Sequence, residues 1–254
     1  MSLIPESHPR VKSLLIRERL VTGFDQGLVA KEGLLAHGRG EAFDYLLGEK
    51  TNNTAKRAIK AAAAQILLAK LPVISINGNI AALCPKEIIN LANMSGAKIE
   101  VNLFYASEKR KKNIIKTLKK NGAKDILGTN RNFSTTLSGL DSARRIVDKN
   151  GIFAADVVIV PLEDGDRTMA LRRAGKTVIA FDLNPLSRTS QTASITIVDN
   201  VIRAVDLLSI TYKKLSKNNK NSLGKIVKNF NNKKNLSDSI VEIRNNLIRR
   251  SHIA

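Results

Sequence analysis

Three features of the sequence predict an α/β fold built on a parallel sheet. From Pro72 onward, short β-branched runs alternate with helical periods of 10 to 17 residues, the pattern of strand-helix-strand units whose strands lie parallel with helices on both faces. Runs such as PVISI (72–76), DVVIV (156–160) and TVIAF (177–181) are apolar almost throughout, as strands covered on both faces are. Each run also ends in a polar or glycine-containing cluster, and an open parallel sheet collects its functional groups outside the carboxyl ends of its strands.

The elements follow in order. SHPRVKSLLIRERLVTGFDQG carries Leu14, Leu15, Leu20 and Val21 at helical spacing and ends near Gly27. EGLLAHGRGEAFDYLLGEKT gives a second helical segment, expected to be interrupted at Gly38 and Gly40. TAKRAIKAAAAQILLAKL is an alanine-rich helix that Pro72 stops. Strands are expected at 72–76, 98–104, 124–127, 156–160, 177–181 and 194–198, with helices at 85–94, up to Gly122, at 168–174 and at 201–215. The stretch before Gly151 is polar and unassigned. The expected architecture is a Rossmann-like parallel sheet with helices on both faces and an N-terminal helical region packed on it. Residues 1–212 then make one domain, helical over 1–71 and sheet-bearing over 72–212. Residues 213–254 are expected to be a basic Lys/Asn-rich extension. Nine asparagines there disfavour packing as far as about Asn235, and a short helix over 239–250 begins at a capping box of Ser239 and Glu242.

Composition narrows the function classes. One cysteine, Cys84, excludes an intramolecular disulfide, and three histidines without a Cys/His cluster give no structural zinc pattern. No run approaches the ~20 apolar residues of a membrane span, and the N-terminus lacks a signal-peptide centre, so a soluble cytoplasmic protein is expected. The formal charge of +20 is concentrated: residues 213–254 contribute +9 (11 basic against 2 acidic) and Ser107 to Lys124 contribute +7 (8 against 1). Such a charge attracts polyanions. Aromatic residues for base stacking are only 4%, which argues against a dedicated nucleic-acid role.

The strand ends supply Asn77-Gly78-Asn79, Asn102, Glu163-Asp164-Gly165-Asp166-Arg167, Asp182-Leu183-Asn184 and Asp199-Asn200. Any one of these is an ordinary helix cap or turn. Five on one edge suggest a ligand, since Asn and Asp also bind ribose, purine edges or a metal, and helix N-termini offer donors to phosphate. Gly78 and Gly165 allow close approach to the backbone. No GxGxxG is present, and ALRRAGKT (170–177) has the helix before and the strand after, the reverse of a phosphate loop. A second cluster is His37-Gly38-Arg39-Gly40-Glu41, with Asp44, where glycines beside an arginine suggest a guanidinium held against an anion. Arg188, between two strand ends, is the best-placed arginine for a phosphate at the sheet edge.

The segments IPESHPR, LLAHGRGEAFDYLLGEKT, PVISINGNIAAL, AKIEVNLFY, DVVIVPLEDGDRT and IAFDLNPLSRTSQTASITIVDN, in that order, resemble the archaeal phosphopantothenate synthetase family, 4-phosphopantoate:β-alanine ligases of coenzyme A biosynthesis. The resemblance runs from about Ile4 to Leu208 and leaves the tail without a counterpart. It implies a Rossmann-like homodimer that joins 4-phosphopantoate to β-alanine, cleaving ATP to AMP and diphosphate through an acyl adenylate. It places ATP contacts on Arg17, Arg39, Asp182, Leu183, Asn184, Ser187, Arg188, Asp199 and Asn200. Within that reading Arg17, Arg39 and Arg188, with Mg2+, meet the phosphates, and Arg39, Arg188 and His37 are the catalytic candidates. Asn77, Gly78, Asn79, His37 and Arg167 are candidates for 4-phosphopantoate. No protein metal-ligand set is assigned, and the base for the β-alanine amine stays open among Glu41, Glu163, Asp164 and Asp166. The alternatives are a nucleotide-binding protein without chemistry and a basic nucleic-acid-binding protein.

Overall fold

The computed structural model describes residues 4–252. Six parallel strands form the main sheet: β1 (Pro72–Ile76), β2 (Lys98–Val101), β3 (Ile126–Leu127), β6 (Val157–Pro161), β7 (Thr177–Phe181) and β8 (Ile195–Ile197). Their spatial order is β3-β2-β1-β6-β7-β8, with all pairs parallel. Strand order therefore reverses between β1 and β6, and this is the switch point at which α/β sheets open a crevice.

Alternation along the strands sorts two cores. Ile74, Ile76, Ile99, Val101, Ile159, Ile179, Phe181, Ile195 and Ile197 face a large helical layer. That layer holds α3 (Asn53–Leu68), α5 (Pro85–Ser95) and α9 (Val201–Leu215), with α1 (Val11–Asp25), α4 (Gly78–Leu83) and α6 (Glu108–Lys120) around them. Val73, Val158, Val160, Val178 and Ala180 face the other side, against Ala170 and Leu171 of α7 (Gly165–Arg173). The polar, unassigned stretch before Gly151 contributes here too. It holds an antiparallel hairpin of β4 (Ser134–Thr136) and β5 (Ile146–Asp148), whose Leu137, Val147 and Ile152 complete the second core. Strands of three residues with polar members carry too little periodicity to be read from sequence.

The alanine run of α3 has a structural reason. Ala58, Ala61, Ala62, Ala63 and Ala64 are all buried, because α9 packs on one side of the helix and α10 (Lys220–Lys228) on another. Side chains this small let helices approach closely. Cys84 is buried as a small hydrophobe. Glu100, on β2, holds the hairpin: its carboxylate accepts the Asp148 N–H at 3.1 Å and the Ile152 N–H at 2.7 Å. Burial raises its pKa to about 7 even though these bonds favour the charged form.

Two expectations change. The second helix is continuous, α2 (Lys31–Leu47), running through Gly38 and Gly40 and stopping only at Gly48 in a left-handed conformation (φ 91°). Tertiary packing overrides the local cost of the two glycines. The tail, expected as an extension in which packing is disfavoured, instead packs on the domain. It forms α10 and α11 (Asn232–Ser251), and α11 packs against α2, α3, α8 (Arg188–Thr192) and β8. Asn231 caps α11, while Ser239 lies inside it and bonds back to the Asn235 carbonyl, so the expected capping box is not the start. Asn232 covers the edge of the sheet: its side-chain oxygen accepts the Thr196 N–H at 2.8 Å, and its amide donates to the Ser190 and Ala193 carbonyls at 3.0 and 3.1 Å. A β8 donor without a sheet neighbour is thereby satisfied.

Removing residues 216–254 strips one face of α3 and the β8 edge, and the truncated protein is expected to lose its cooperative thermal transition. Asn232→Ala is expected to cost about 2 kcal/mol, read by urea denaturation, because it orphans buried backbone groups. For Glu100 the sign is fixed by its raised pKa. Between the ordinary glutamate value and about 7, the native state holds a proton that the unfolded chain has released, so its contribution to stability falls with rising pH and is level above that window. The melting temperature of Glu100→Gln, measured against wild type, should gain several degrees from pH 5 to pH 7 and then stop changing.

Candidate active site

The site is built where β7 and β8 end. After β7 the chain turns through Asp182-Leu183-Asn184. The Asp182 carboxylate accepts the Asn184 N–H at 2.9 Å and the Ser187 hydroxyl, and the Asn184 side chain accepts the Leu186 N–H at 2.9 Å. Ser187 caps α8, its oxygen accepting the Ser190 N–H at 3.0 Å, which leaves Arg188 as the first residue of that helix. Arg188 is exposed and pairs with Asp166 at 2.6 Å. After β8, Asn200 caps α9 by accepting the Ile202 N–H at 3.1 Å. Asp199 accepts the Thr51 hydroxyl at 2.6 Å.

Helix α2 lies over these turns. Asp44 is buried and bonds the Asn200 amide at 3.3 Å, and Arg203 of α9 bridges Asp44 and Asp199, 2.6 Å from each. A Cβ on Gly40 would sit 3.6 Å from Leu183, at ordinary contact distance, so α2 lies close to the β7 turn here. Leu183 itself packs with Leu47, Val198 and Leu236 of α11. Arg39 is exposed, has no hydrogen bond or ion pair among the described residues, and sends its field onto Asp182.

Helix α1 is stapled to α2 by charge. Arg17 pairs with Glu41 at 2.8 Å, Arg10 reaches Glu41 at 3.2 Å and Glu49 at 2.9 Å, and Ser13 also donates to Glu49. His37, half-buried among Glu41, Arg17 and Asp44, has its pKa lowered by burial, so its imidazole is neutral at pH 7.

Burial also raises Asp182 and Asp199 above the usual carboxylate range, opposed by Ser187, the Asn184 N–H and Arg39 for the first and by Arg203 and Thr51 for the second. Arg203 goes the other way. Burial disfavours its charge, yet the bonds to Asp44 and the field of Asp199 outweigh it and hold the guanidinium firmly cationic.

Thus Arg17, His37, Arg39, Asp182, Leu183, Asn184, Ser187, Arg188, Asp199 and Asn200 lie on α1, α2 and the ends of β7 and β8, a contiguous part of the molecule. The remaining candidates are placed differently. Asn77 caps α4 and its amide donates to the Pro161 and Leu162 carbonyls at 2.9 and 3.0 Å, tying β1 to β6. The Asn79 amide donates to the Gly33 carbonyl at 2.9 Å and anchors α2. Gly78 is required by the fold, since a Cβ there would lie 2.1 Å from the Leu28 carbonyl oxygen. Arg167 is wholly buried beneath the β6 loop, bonded to Glu163 and Ser75. The sequence reading missed the roles of Asp44, Arg203 and Glu41. For Arg203 the available signal is its i,i+4 spacing from Asp199, while Asp44 and Glu41 already stand in the cluster around Arg39.

A groove of about 680 Å³ lined by Lys86, Asn113, Lys116 and Lys120 opens elsewhere, along α6, and contains none of these residues. No helix of the described residues is long and apolar enough to cross a membrane.

The profile of phosphopantothenate/pantothenate synthetases matches residues 54–246. This chain belongs to that family. Its curated relatives include a 4-phosphopantoate--beta-alanine ligase from Thermococcus kodakarensis, 51% identical over 97% of this chain and 94% of the relative. Another bears the same name in Thermococcus onnurineus (50% identical, 97% of this chain and 94% of the relative), and a third in Methanosarcina mazei (49% identical, 97% and 96%). Family membership also corrects the view of the C-terminal segment. The synthetase match runs to residue 246, through α10 and most of α11, so these helices have counterparts in the family.

Arg203→Ala is expected to destabilise the protein by about 3–5 kcal/mol in chemical denaturation, because Asp44 and Asp199 would be left buried without their cation. Arg203→Lys should recover only part of that loss, since one ammonium cannot reproduce the forked contacts.

Proposed function

We propose that this protein condenses 4-phosphopantoate with β-alanine, using ATP and releasing AMP and diphosphate through an acyl adenylate. Relatives of this name at about half identity over nearly the whole chain support the reading. The observation that carries the site assignment is the assembly of Arg17, Arg39 and Arg188 with Asp182, Asn184 and Asp199 around the ends of β7 and β8.

In the first step a carboxylate oxygen of the acid bonds to the α-phosphorus while the bond to the bridging oxygen breaks, and diphosphate leaves with that electron pair. In the second step the β-alanine amine bonds to the acyl carbon, AMP leaves, and the amine loses its proton. Neither step needs a protein nucleophile. Both need reactants held in line and positive groups where charge develops. Arg39, exposed and without a partner among the described residues, and Arg188, at the N-terminus of α8 and paired with an exposed aspartate, are suited to that role. Arg17 would exchange Glu41 for phosphate. Asp182, Asn184, Asp199 and Asn200 would meet ribose and base, with Leu183 under the ring. Neutral His37 would orient an oxygen by hydrogen bonding rather than by charge.

Mg2+ would be carried by the nucleotide phosphates and water. Exposed Asp166 would meet its waters, and the ion would offset charge on the leaving diphosphate. The assembly proposed is a homodimer.

Exchange of labelled diphosphate into ATP should appear only when 4-phosphopantoate is added. A nucleotide-binding protein without chemistry gives none, and an unphosphorylated acid supporting the same exchange would reassign the substrate. Arg39→Ala and Arg188→Ala should each lower kcat by about 100-fold or more. Near-normal turnover in either removes that arginine from the mechanism.

A further inference from the structure

The loop after β6 carries a second cluster, beside the switch point and two strands in from the β8 end that bears Asp199. Glu163 is buried between two arginines, contacting both Arg144 and Arg167. Arg167 donates to the Ser75 hydroxyl at 2.9 Å and to the Glu163 carboxylate at 2.5 Å. Arg144 arrives from the turn before β5. Its backbone carbonyl accepts from the Asn102 amide, and its guanidinium lies 3.3 Å from Asp164.

This is the least satisfied part of the protein. Of ten buried side-chain polar atoms without a hydrogen bond among the described residues, six belong to Asn102, Arg144, Asp164 and Arg167. The Arg144 Nη1 and Asp164 pair with each other as ions, but Nε of Arg144 and both Nε and Nη2 of Arg167 face no acceptor. A cluster retained only for stability should satisfy its donors, because orphaned buried donors on cations are costly. Burial and the repulsion of Arg167 both weigh against the charge on Arg144, so an additional anion would relieve the strain on the pair.

The number of donors identifies the ligand class. A carboxylate has two oxygens, and that of Glu163 is already shared between the two guanidinium groups. A phosphate monoester offers three oxygens and up to two charges, and forked arginines bind it bidentately. The Asp164 side chain is partly exposed at the margin of the cluster, and the exposed Phe104 ring lies 5.9 Å from the Arg144 guanidinium carbon. The same loop reaches the nucleotide candidates. Thr189 of α8 donates to the Glu163 carbonyl at 2.9 Å, and a Cβ on Gly165 would strike Arg188 at 2.4 Å. Leu162, at the start of this loop, holds φ at 53°, a left-handed conformation unusual for leucine.

We propose that Arg144 and Arg167, backed by Asn102, form a phosphate-monoester subsite in which the ligand phosphate replaces Glu163 and Asp164 as counter-ion of the two guanidinium groups. The proposal rests on the ligase reading, since the phosphate of the acid substrate is the group that would fill it while the acid's carboxylate points along the loop toward Arg188. It makes Arg144, on the inserted hairpin, the residue that distinguishes the phosphorylated acid from its free alcohol.

The test uses Arg144→Ala and Arg144→Lys, with thermal unfolding as the check on folding. The second variant keeps the charge if the first does not fold. Both should raise KM for 4-phosphopantoate at least tenfold while KM for ATP stays within twofold, and inorganic phosphate, which binds wild type by calorimetry, should bind either variant at least tenfold more weakly. An unchanged KM for the acid, a shift in KM for ATP instead, or no phosphate binding by wild type overturns the subsite. If wild type shows no exchange with 4-phosphopantoate, the ligase reading falls, and phosphate binding by wild type against the variants still decides the subsite.

Discussion

The triad of Asp44, Arg203 and Asp199 sets where everything else in the candidate site lies. Two buried carboxylates from α2 and the β8 end close on one guanidinium from α9, at 2.6 Å each. Removing two carboxylates from water is unfavourable unless a cation accompanies them, so the three cannot be separated cheaply. Their geometry fixes the height and rotation of α2 over the strand ends. Arg39, next to Gly40 and bearing on Asp182, has its position only because α2 is held there. Arg17 follows at one remove, through Glu41.

The C-terminal helices reinforce the same arrangement. The Asn246 amide donates to the Leu46 carbonyl at 3.1 Å, and the Tyr45 ring lies between the guanidinium groups of Arg10 and Arg250 at 4.7 and 4.8 Å. Leu236 completes the small core under Leu183. A segment whose composition suggests a solvated extension thus buttresses the helix that presents the arginines. Its asparagines are used for edge-strand pairing and helix capping rather than for disorder, and its basic residues remain on the outside.

The strand ends divide into two charged neighbourhoods joined by the Leu162–Asp166 loop. On one side are the exposed Arg39 and Arg188 with the carboxylates of β7 and β8. On the other are the buried Arg144 and Arg167 about Glu163. Asn77, reaching across from β1 to the Pro161 and Leu162 carbonyls, holds the loop between them. Its use in this tie accounts for an asparagine at the strand end without a ligand.

The sequence by itself determined the parallel sheet, its major strands and helices, and the edge on which polar groups gather, because unbroken apolar runs and helical periods are local signals imposed by burial. It also carried the family, through ordered segments from Ile4 to Leu208. The hairpin, α8 and the packed tail were decided only by tertiary structure. Their strands or turns are too short for periodicity, or their polar residues pair with partners elsewhere in the sequence, as Asn232 does with Thr196, 36 residues away, and Asn246 with Leu46, 200 residues away. Which arginine is free, which is locked by a carboxylate and which is buried depends on those distant partners, and no local pattern encodes a contact made across a hundred residues.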